Sequence, residues 1–311
     1  MKILVVASYN KRHFSPFIVE QVEALKKQGC EFEYFGLQGK GLMGYLKNLP
    51  ELKQKNKTFR PDIIHAHYGL SGLFANLQRG VPVVTTYHGS DINDKKVLPF
   101  SKVAMHLSAW NVYVSKKTMG IVKPRKKYSL LPCGIDLSDL QLTEKDEARK
   151  TMGLEAEKHY VLFSGAFDNE VKNAPLAKET VTLLHDKNIE LLELKGYSRE
   201  EVTLLMCAAD VFLMTSHTEG SPQVIKEALA CGCPIVSVDV GDVRERTEGI
   251  NGCYISTTRD AQELAELLHR ALSFEGKTLG RERIIADGLD NRTVALQLIG
   301  LYERILKSEN R

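Results

Sequence analysis

The chain has 311 residues, of which 43% are hydrophobic, 26% charged and 7% aromatic, with a formal net charge of +3. These values predict two globular domains and exclude collagen-like, coiled-coil and disordered classes. No run approaches the roughly 20 apolar residues of a membrane-spanning helix. The N-terminal MKILVVASYN reads as a first β-strand and not a signal peptide, because its short apolar run has no small-residue cleavage site after it. The expected location is the cytoplasm, including the inner face of a membrane.

Strand-like and helical patterns alternate along the chain. KILVVAS (2–8) is a buried-strand run, and FIVEQVEALKKQG (17–29) carries apolar residues at helical spacing with a terminal Gly. EFEYFGL resumes a strand, and DIIHAH (62–67), VPVVTTYH (81–88) and WNVYVS (110–115) are further β-rich runs. The polar stretch 131–159 predicts an interdomain connection with a short helix. A second set follows: strand 159–165, helix 173–187, strand 189–196, helix 198–209 and strand 210–216. Strands at 234–241 and 252–256 and helices near 260–274 and 291–307 close the chain. The predicted class is α/β: two doubly wound Rossmann-like domains, 1–150 and 151–311, facing across a cleft, with the last helix returning to the first domain.

Charge is divided between the halves. Residues 1–150 hold 24 Lys and Arg against 13 Asp and Glu, whereas residues 151–311 hold 18 against 26. An anionic partner is therefore expected on the first half. Its densest cluster is Lys116, Lys117, Lys123, Arg125, Lys126 and Lys127, suited to acidic lipid head groups or a lipid pyrophosphate. Nucleic acid is disfavoured, since the cluster lacks interleaved aromatics and any finger or RNP-like motif. The six cysteines show no zinc-site spacing and read as small apolar side chains.

The most informative stretch is TSHTEGSPQVIKEALACGCPIVSVDVGDVRE (215–245). Ser221 predicts an N-cap and Pro222 the first helical residue, with Gly232 ending the helix. Backbone N–H groups at such a helix start form an anion site suited to a diphosphate. Glu219 and Glu227 stand at E-x₇-E spacing, and a carboxylate accepts the paired hydroxyls that a sugar or ribose presents. Lys172 follows a strand and loop and precedes a helix expected to be capped by Asn173, where a cation joins backbone donors at an anion.

The segment EGSPQVIKEALACGCPIV resembles the signature of the family 4 retaining glycosyltransferases, which have the GT-B fold. IIHAHYG (63–69), TYHGSD (86–91), VSKK (114–117), LPCGID (131–136), FSGAFDNEVKN (163–173) and AADVFLMTS (208–216) extend the resemblance in the family's order. The resemblance implies that the second domain binds a nucleotide-sugar. Glu227 would hold the ribose hydroxyls, and Glu219 would contact the donor sugar. Backbone N–H groups of Gly220, Ser221, Gln223 and Val224 would hold sugar or diphosphate. Pro222, lacking an N–H, contributes none. Gly165 would help bind the donor and Lys172 would neutralise the departing diphosphate, and Gly196 and Tyr197 lie where the family places its base-binding loop, with uridine and guanosine both open. The family often has Gly-Arg after this strand. Here Gly165 is followed by Ala166, so one charge-assisted contact is missing.

His88 follows a first-domain strand, where ligands sit in open α/β sheets, and the resemblance puts it beside the sugar's reacting centre. His65 and His67 alternate and so share one face of a strand. His67 and Tyr68 are expected on the acceptor side, His65 in packing. No two Asp residues are separated by a single position, so the D-x-D metal device is absent, and neither a metal nor a cofactor is expected. The implied reaction moves a sugar from a UDP- or GDP-sugar to an acceptor hydroxyl with retention, in surface polysaccharide or glycolipid synthesis. Two alternatives stay open: a non-catalytic nucleotide-sugar-binding or membrane-docking module, and a GT-B-fold nucleotide-sugar epimerase. A Rossmann dehydrogenase is excluded, because ASYNKRH stands where G-x-G-x-x-G would follow the first strand.

Overall fold

The two stretches of strand–helix alternation become two separate parallel sheets in the computed structural model, which describes residues 1–309. The first unit comprises Met1–Gly134 and the chain from Leu289 onward; the second is Ile135–Gly288.

In the first unit the strands are β1 (Lys2–Ser8), β2 (Glu31–Leu37), β3 (Ile63–His67), β4 (Val83–Tyr87), β5 (Trp110–Tyr113) and β6 (Tyr128–Leu130). Their order is β2-β1-β3-β4-β5-β6, all parallel. Buried strands read as continuous apolar runs because helices cover both faces. On β1, Ile3, Val5 and Ala7 pack with Ile18, Val22 and Leu25 of the helix Pro16–Lys27 and with Leu298, Tyr302 and Ile305 of the last helix, Asn291–Glu309. Leu4 and Val6 face the other way, against Leu52, Ile64 and Phe74.

The second unit holds β7 (His159–Phe163), β8 (Ile189–Glu193), β9 (Val211–Met214), β10 (Ile235–Val238) and β11 (Cys253–Ser256). Their order is β11-β10-β9-β7-β8, again all parallel. The short helix Lys145–Met152 belongs to this unit. Buried Arg149 ties it there, donating to the Ala208 carbonyl at 3.1 Å and to Asp210 at 2.8 Å.

Two predicted helix starts are corrected. The helix after Pro222 runs Gln223–Ala230 with Pro222 itself at the N-cap, and no side chain caps it. The Ser221 hydroxyl is turned away and donates to Asp242 at 2.8 Å. Asn173 does precede the helix Ala174–Thr182, but in the left-handed conformation (φ 57°) and without a side-chain cap bond.

Leu298 of the last helix is 1% exposed within the first unit's core. Leu298→Ala is expected to destabilise that unit by about 2–5 kcal/mol, seen as an early first transition in urea unfolding. Coincident transitions in wild type and variant would contradict this packing role.

Candidate functional site

In each sheet the strand order reverses once, and the loops at that point leave the carboxyl ends in opposite directions. In the second unit the reversal lies between β7 and β9. Lys172 ends a 3₁₀ turn, Glu170–Lys172, on the loop after β7, and Glu219 stands on the loop after β9. Their side chains meet: Lys172 Nζ donates to Glu219 Oε1 at 2.8 Å, with both side chains less than one-fifth exposed. The Thr215 hydroxyl fixes the base of the lysine loop, donating to the carbonyls of Lys172 and Asn173, each at 2.9 Å.

Gly165 makes room for this lysine. A Cβ there would lie 2.9 Å from Lys172 Cγ, so any larger residue would push the stem aside. Gly220 is packed just as closely, because a Cβ on Gly241 would come within 2.6 Å of its carbonyl oxygen. Gln223 and Val224 form the first turn of the helix Gln223–Ala230, whose leading N–H groups point out along its axis. The Gln223 side chain accepts from buried Lys226 at 2.6 Å. Glu227 is mostly buried, and burial pushes its carboxyl up, opposed by the nearby charges of Arg199 and Lys226. Arg199 lies 3.4 Å from Glu227 and only two residues after Tyr197, so the Gly196–Tyr197 loop and Glu227 are neighbours through that arginine. Tyr197 itself is 42% exposed. Beside Ala166, Lys195 pairs with Asp168, and Lys178 lies over the Phe167 ring at 4.5 Å.

In the first unit His67 ends β3 and His88 follows β4. His67 Nδ1 and His88 Nε2 are 3.0 Å apart. The His88 ring packs between Phe17 and Tyr68, with ring centroids 4.7 and 4.6 Å away. Tyr68 holds φ 73° and ψ 147°, a region normally reserved for glycine, and such strain concentrates at functional sites. Burial pushes its phenol up to about 12. His67 has no exposed surface. His65 lies in the core, bonded to Thr86 at 2.7 Å and to Tyr302 at 2.6 Å. Burial lowers it to about 3. Among the described residues no group of three His, Cys, Asp or Glu side chains is placed to hold a metal ion.

Three positioning residues were not singled out from the sequence. Asp91, 3% exposed, accepts from the backbone N–H groups of Gly69 (2.9 Å), His88 and Gly89 (both 3.0 Å), binding the loops after β3 and β4 together. Asp242 receives the Ser221 hydroxyl and Arg246. Arg259 donates to the carbonyls of Ser216 (2.8 Å) and His217 (3.0 Å), just ahead of Glu219. Asp91 and Asp242 fall inside TYHGSD and the 215–245 stretch, so a signal was present.

Residues 31–139 match the model described as Glycosyltransferase Family 4, and residues 173–273 match Glycosyl transferases group 1. Two parts of the chain thus match glycosyltransferase domain models. The family 4 domain carries His67, Tyr68 and His88, and the group 1 domain carries Glu219 and Glu227. TuaC of Bacillus subtilis strain 168, named for teichuronic acid biosynthesis, is 30% identical over 245 residues, 70% of this chain and 62% of TuaC. The chain thus spans less than two thirds of that relative. A sucrose-phosphate synthase from Thermosynechococcus elongatus superposes with a TM-score of 0.82 over 99% of this chain and 100% of its own, at 17% identity. Anabaena Alr3699/HepE in complex with UDP gives a TM-score of 0.76 over 98% and 100%, at 16% identity. At these identities the likeness is one of fold, and that fold is GT-B.

Asp91 gives the family 4 domain a pH signature. Burial pushes its carboxyl up to about 6, against the backbone N–H groups that favour its charge. An unfolded chain releases that proton near pH 4. The native state therefore holds more protons between about pH 4 and 6, and stability falls as pH rises through that window. The stability difference between wild type and Asp91→Asn is expected to move against the wild type from pH 4 to 6 and stay level above it. A difference independent of pH, measured by urea titration, would refute this.

Proposed function

We propose that this chain transfers a sugar from a UDP- or GDP-sugar to an acceptor hydroxyl with retention of anomeric configuration, in surface polysaccharide or glycolipid synthesis. The observation that carries the proposal is the Lys172–Glu219 contact beside the start of the helix Gln223–Ala230. An ammonium has three N–H donors, and Glu219 takes one, leaving the cation able to serve an anion as well. The helix start adds backbone donors and the positive end of its dipole. Glu219 then accepts sugar hydroxyls and Glu227 the ribose hydroxyls, while Gly196 and Tyr197 face the base.

In the proposed step the bond from the anomeric carbon to the diphosphate oxygen breaks as the bond to the acceptor oxygen forms. The acceptor proton goes to the departing phosphate on the same face. Preorganised charge at Lys172 and the helix start stabilises the leaving group, with no metal or further cofactor. His88 serves the reacting sugar from the family 4 domain, with Tyr68 on the acceptor side. The name of TuaC and the UDP in HepE support the polysaccharide setting and the donor class.

A lipid-linked acceptor fits a second feature of the first unit. Lys116, Lys117, Lys123, Arg125, Lys126 and Lys127 are all exposed. Beside them the helix Leu98–Leu107 buries Ser101 and Ala104 but turns Phe100, Val103 and Leu107 outward, each 40–49% exposed. A pocket of about 440 Å³ adjoins it, with Lys102, Asn111, Tyr113, Arg125, Lys126 and Lys127 in its wall. Apolar residues flanked by cations suit an anionic bilayer surface. No described helix is long and apolar enough to cross a membrane, so contact is proposed to be peripheral, on the cytoplasmic side.

Thermal-shift titration with UDP, GDP, ADP and CDP tests the donor site. A ligand at about 100 times its Kd adds roughly 2.7 kcal/mol of stability. One nucleotide is expected to stabilise the wild type, with the shift lost in Lys172→Ala and Glu227→Ala and reduced in Gly165→Ala. No shift with any nucleotide would replace the proposal with the non-catalytic reading that Ala166 favours. For the membrane, flotation with phosphatidylglycerol vesicles should carry the wild type at low salt and release it at high salt. Phe100→Ser with Val103→Ser should weaken it at least about tenfold, and absence of wild-type binding at low salt would remove this contact.

A further inference from the structure

His67 makes an incomplete set of hydrogen bonds. Its ring is fully buried and stacks on His65, with centroids 4.5 Å apart. Nδ1 faces His88 Nε2 at 3.0 Å, whereas Nε2 is buried with no hydrogen-bond partner. His88 in turn presents Nδ1 to Cys133 Sγ at 3.9 Å. Two neutral arrangements satisfy the contact between the histidines. In one, His67 Nδ1–H donates and its Nε2 is a bare acceptor; in the other, His88 donates and His67 must carry an orphaned Nε2–H.

These arrangements differ in cost. A buried N–H without an acceptor forfeits its whole solvation, and such donors are rarer in native proteins than under-satisfied acceptors. A doubly protonated His67 is excluded by burial and by the neighbouring imidazoles, which hold it well below the usual range. We infer that His67 is a positioning residue that donates from Nδ1 to His88 Nε2 and thereby fixes neutral His88 as its Nδ1–H tautomer. His88 then works as a hydrogen-bond donor through Nδ1, not as a base through Nε2. The inference about catalysis rests on the proposed transfer reaction, but the tautomer itself does not.

The groups packed against this pair are consistent with a neutral imidazole. Phe17 and Tyr68 pack against the His88 ring at tilted angles of 47° and 48°, and Asp91 spends its carboxylate on backbone N–H groups, among them that of His88. Of the other ionisable groups, Tyr68 is held neutral by burial, His65 bonds Thr86 and Tyr302, and Cys133 Sγ lies 3.9 Å from His88 Nδ1.

The test is ¹⁵N NMR of ring-labelled histidines in the full chain, with His67→Asn and His88→Ala used for assignment. The expected spectrum has both rings protonated at Nδ1 and bare at Nε2 near neutral pH. A proton on His88 Nε2 overturns the inference, whether or not the protein transfers sugar. His67→Asn keeps an N–H donor close to Nδ1, while His67→Leu has none. If wild type turns over, His67→Leu should lower kcat about tenfold or more, with donor KM and the nucleotide thermal shift unchanged, and His67→Asn should recover most of it. Equal loss in both variants, or none in His67→Leu, also overturns it. Wild type that neither binds nucleotide nor turns over sinks the transfer reaction instead, and leaves the tautomer decided by the spectrum.

Discussion

The reversal of strand order in each parallel sheet is the constraint from which the sites follow. Where neighbouring strands send their chains to opposite sides, a crevice opens at the carboxyl edge, lined by the loops after those strands and their neighbours. In the second unit this brings Lys172 and Glu219, 47 residues apart, into a 2.8 Å contact. In the first unit the reversal lies between β1 and β3. Phe17 after β1, Tyr68 after β3 and His88 after β4 converge there for the same reason. The sheets themselves are fastened elsewhere, by apolar residues on both faces, which leaves the carboxyl edges free to hold polar groups.

Those apolar runs are why the strands were legible. A strand buried on both faces has no polar alternation to confuse it, so KILVVAS and HYVLF stand out even without neighbours for comparison. The ends of helices were harder to read. Ser221 and Pro222 have the chemistry of a cap and a first residue, yet Asp242 captures the serine hydroxyl and the helix starts one residue later. Asn173 shows the same limit, since its left-handed backbone is set by the preceding turn and by Thr215 bonding its carbonyl. A local rule fails when a distant side chain offers a better partner.

The same limit accounts for the positioning residues that the motifs did not disclose. Asp91 and Arg259 act on backbone atoms, N–H groups in one case and carbonyls in the other. A side chain that bonds backbone leaves no complementary residue type elsewhere in the chain to betray it. Lys172 and Glu219 stand out in the sequence because an ammonium and a carboxylate in such loops suit an anion or a hydroxyl, whereas Asp91 does not because its chemistry points inward. Gly165 is intermediate: its place in the motif was visible, but the reason for it, room for the lysine stem, needs the coordinates.

The two domains solve the problem of holding polar groups ready in opposite ways. In the group 1 domain the readiness is electrostatic. An ammonium and a carboxylate, each mostly buried, hold one another in place, and neither could sit there alone without a heavy desolvation cost. In the family 4 domain the readiness is neutral: a buried imidazole, His67, hydrogen-bonded to a half-buried one, His88, beside aromatic rings, with the Asp91 carboxylate committed to backbone. In the proposed reaction the first arrangement suits the charged diphosphate, and the second offers a neutral hydrogen bond to the reacting sugar. The division of the sequence's charge between its halves does not foreshadow this. The basic half supplies the neutral site, while Lys102, Arg125, Lys126 and Lys127 line a separate pocket beside the helix Leu98–Leu107. Net charge thus reports on the surface a domain shows to its surroundings, while the chemistry of its site is set by the few side chains that the sheet edge draws together.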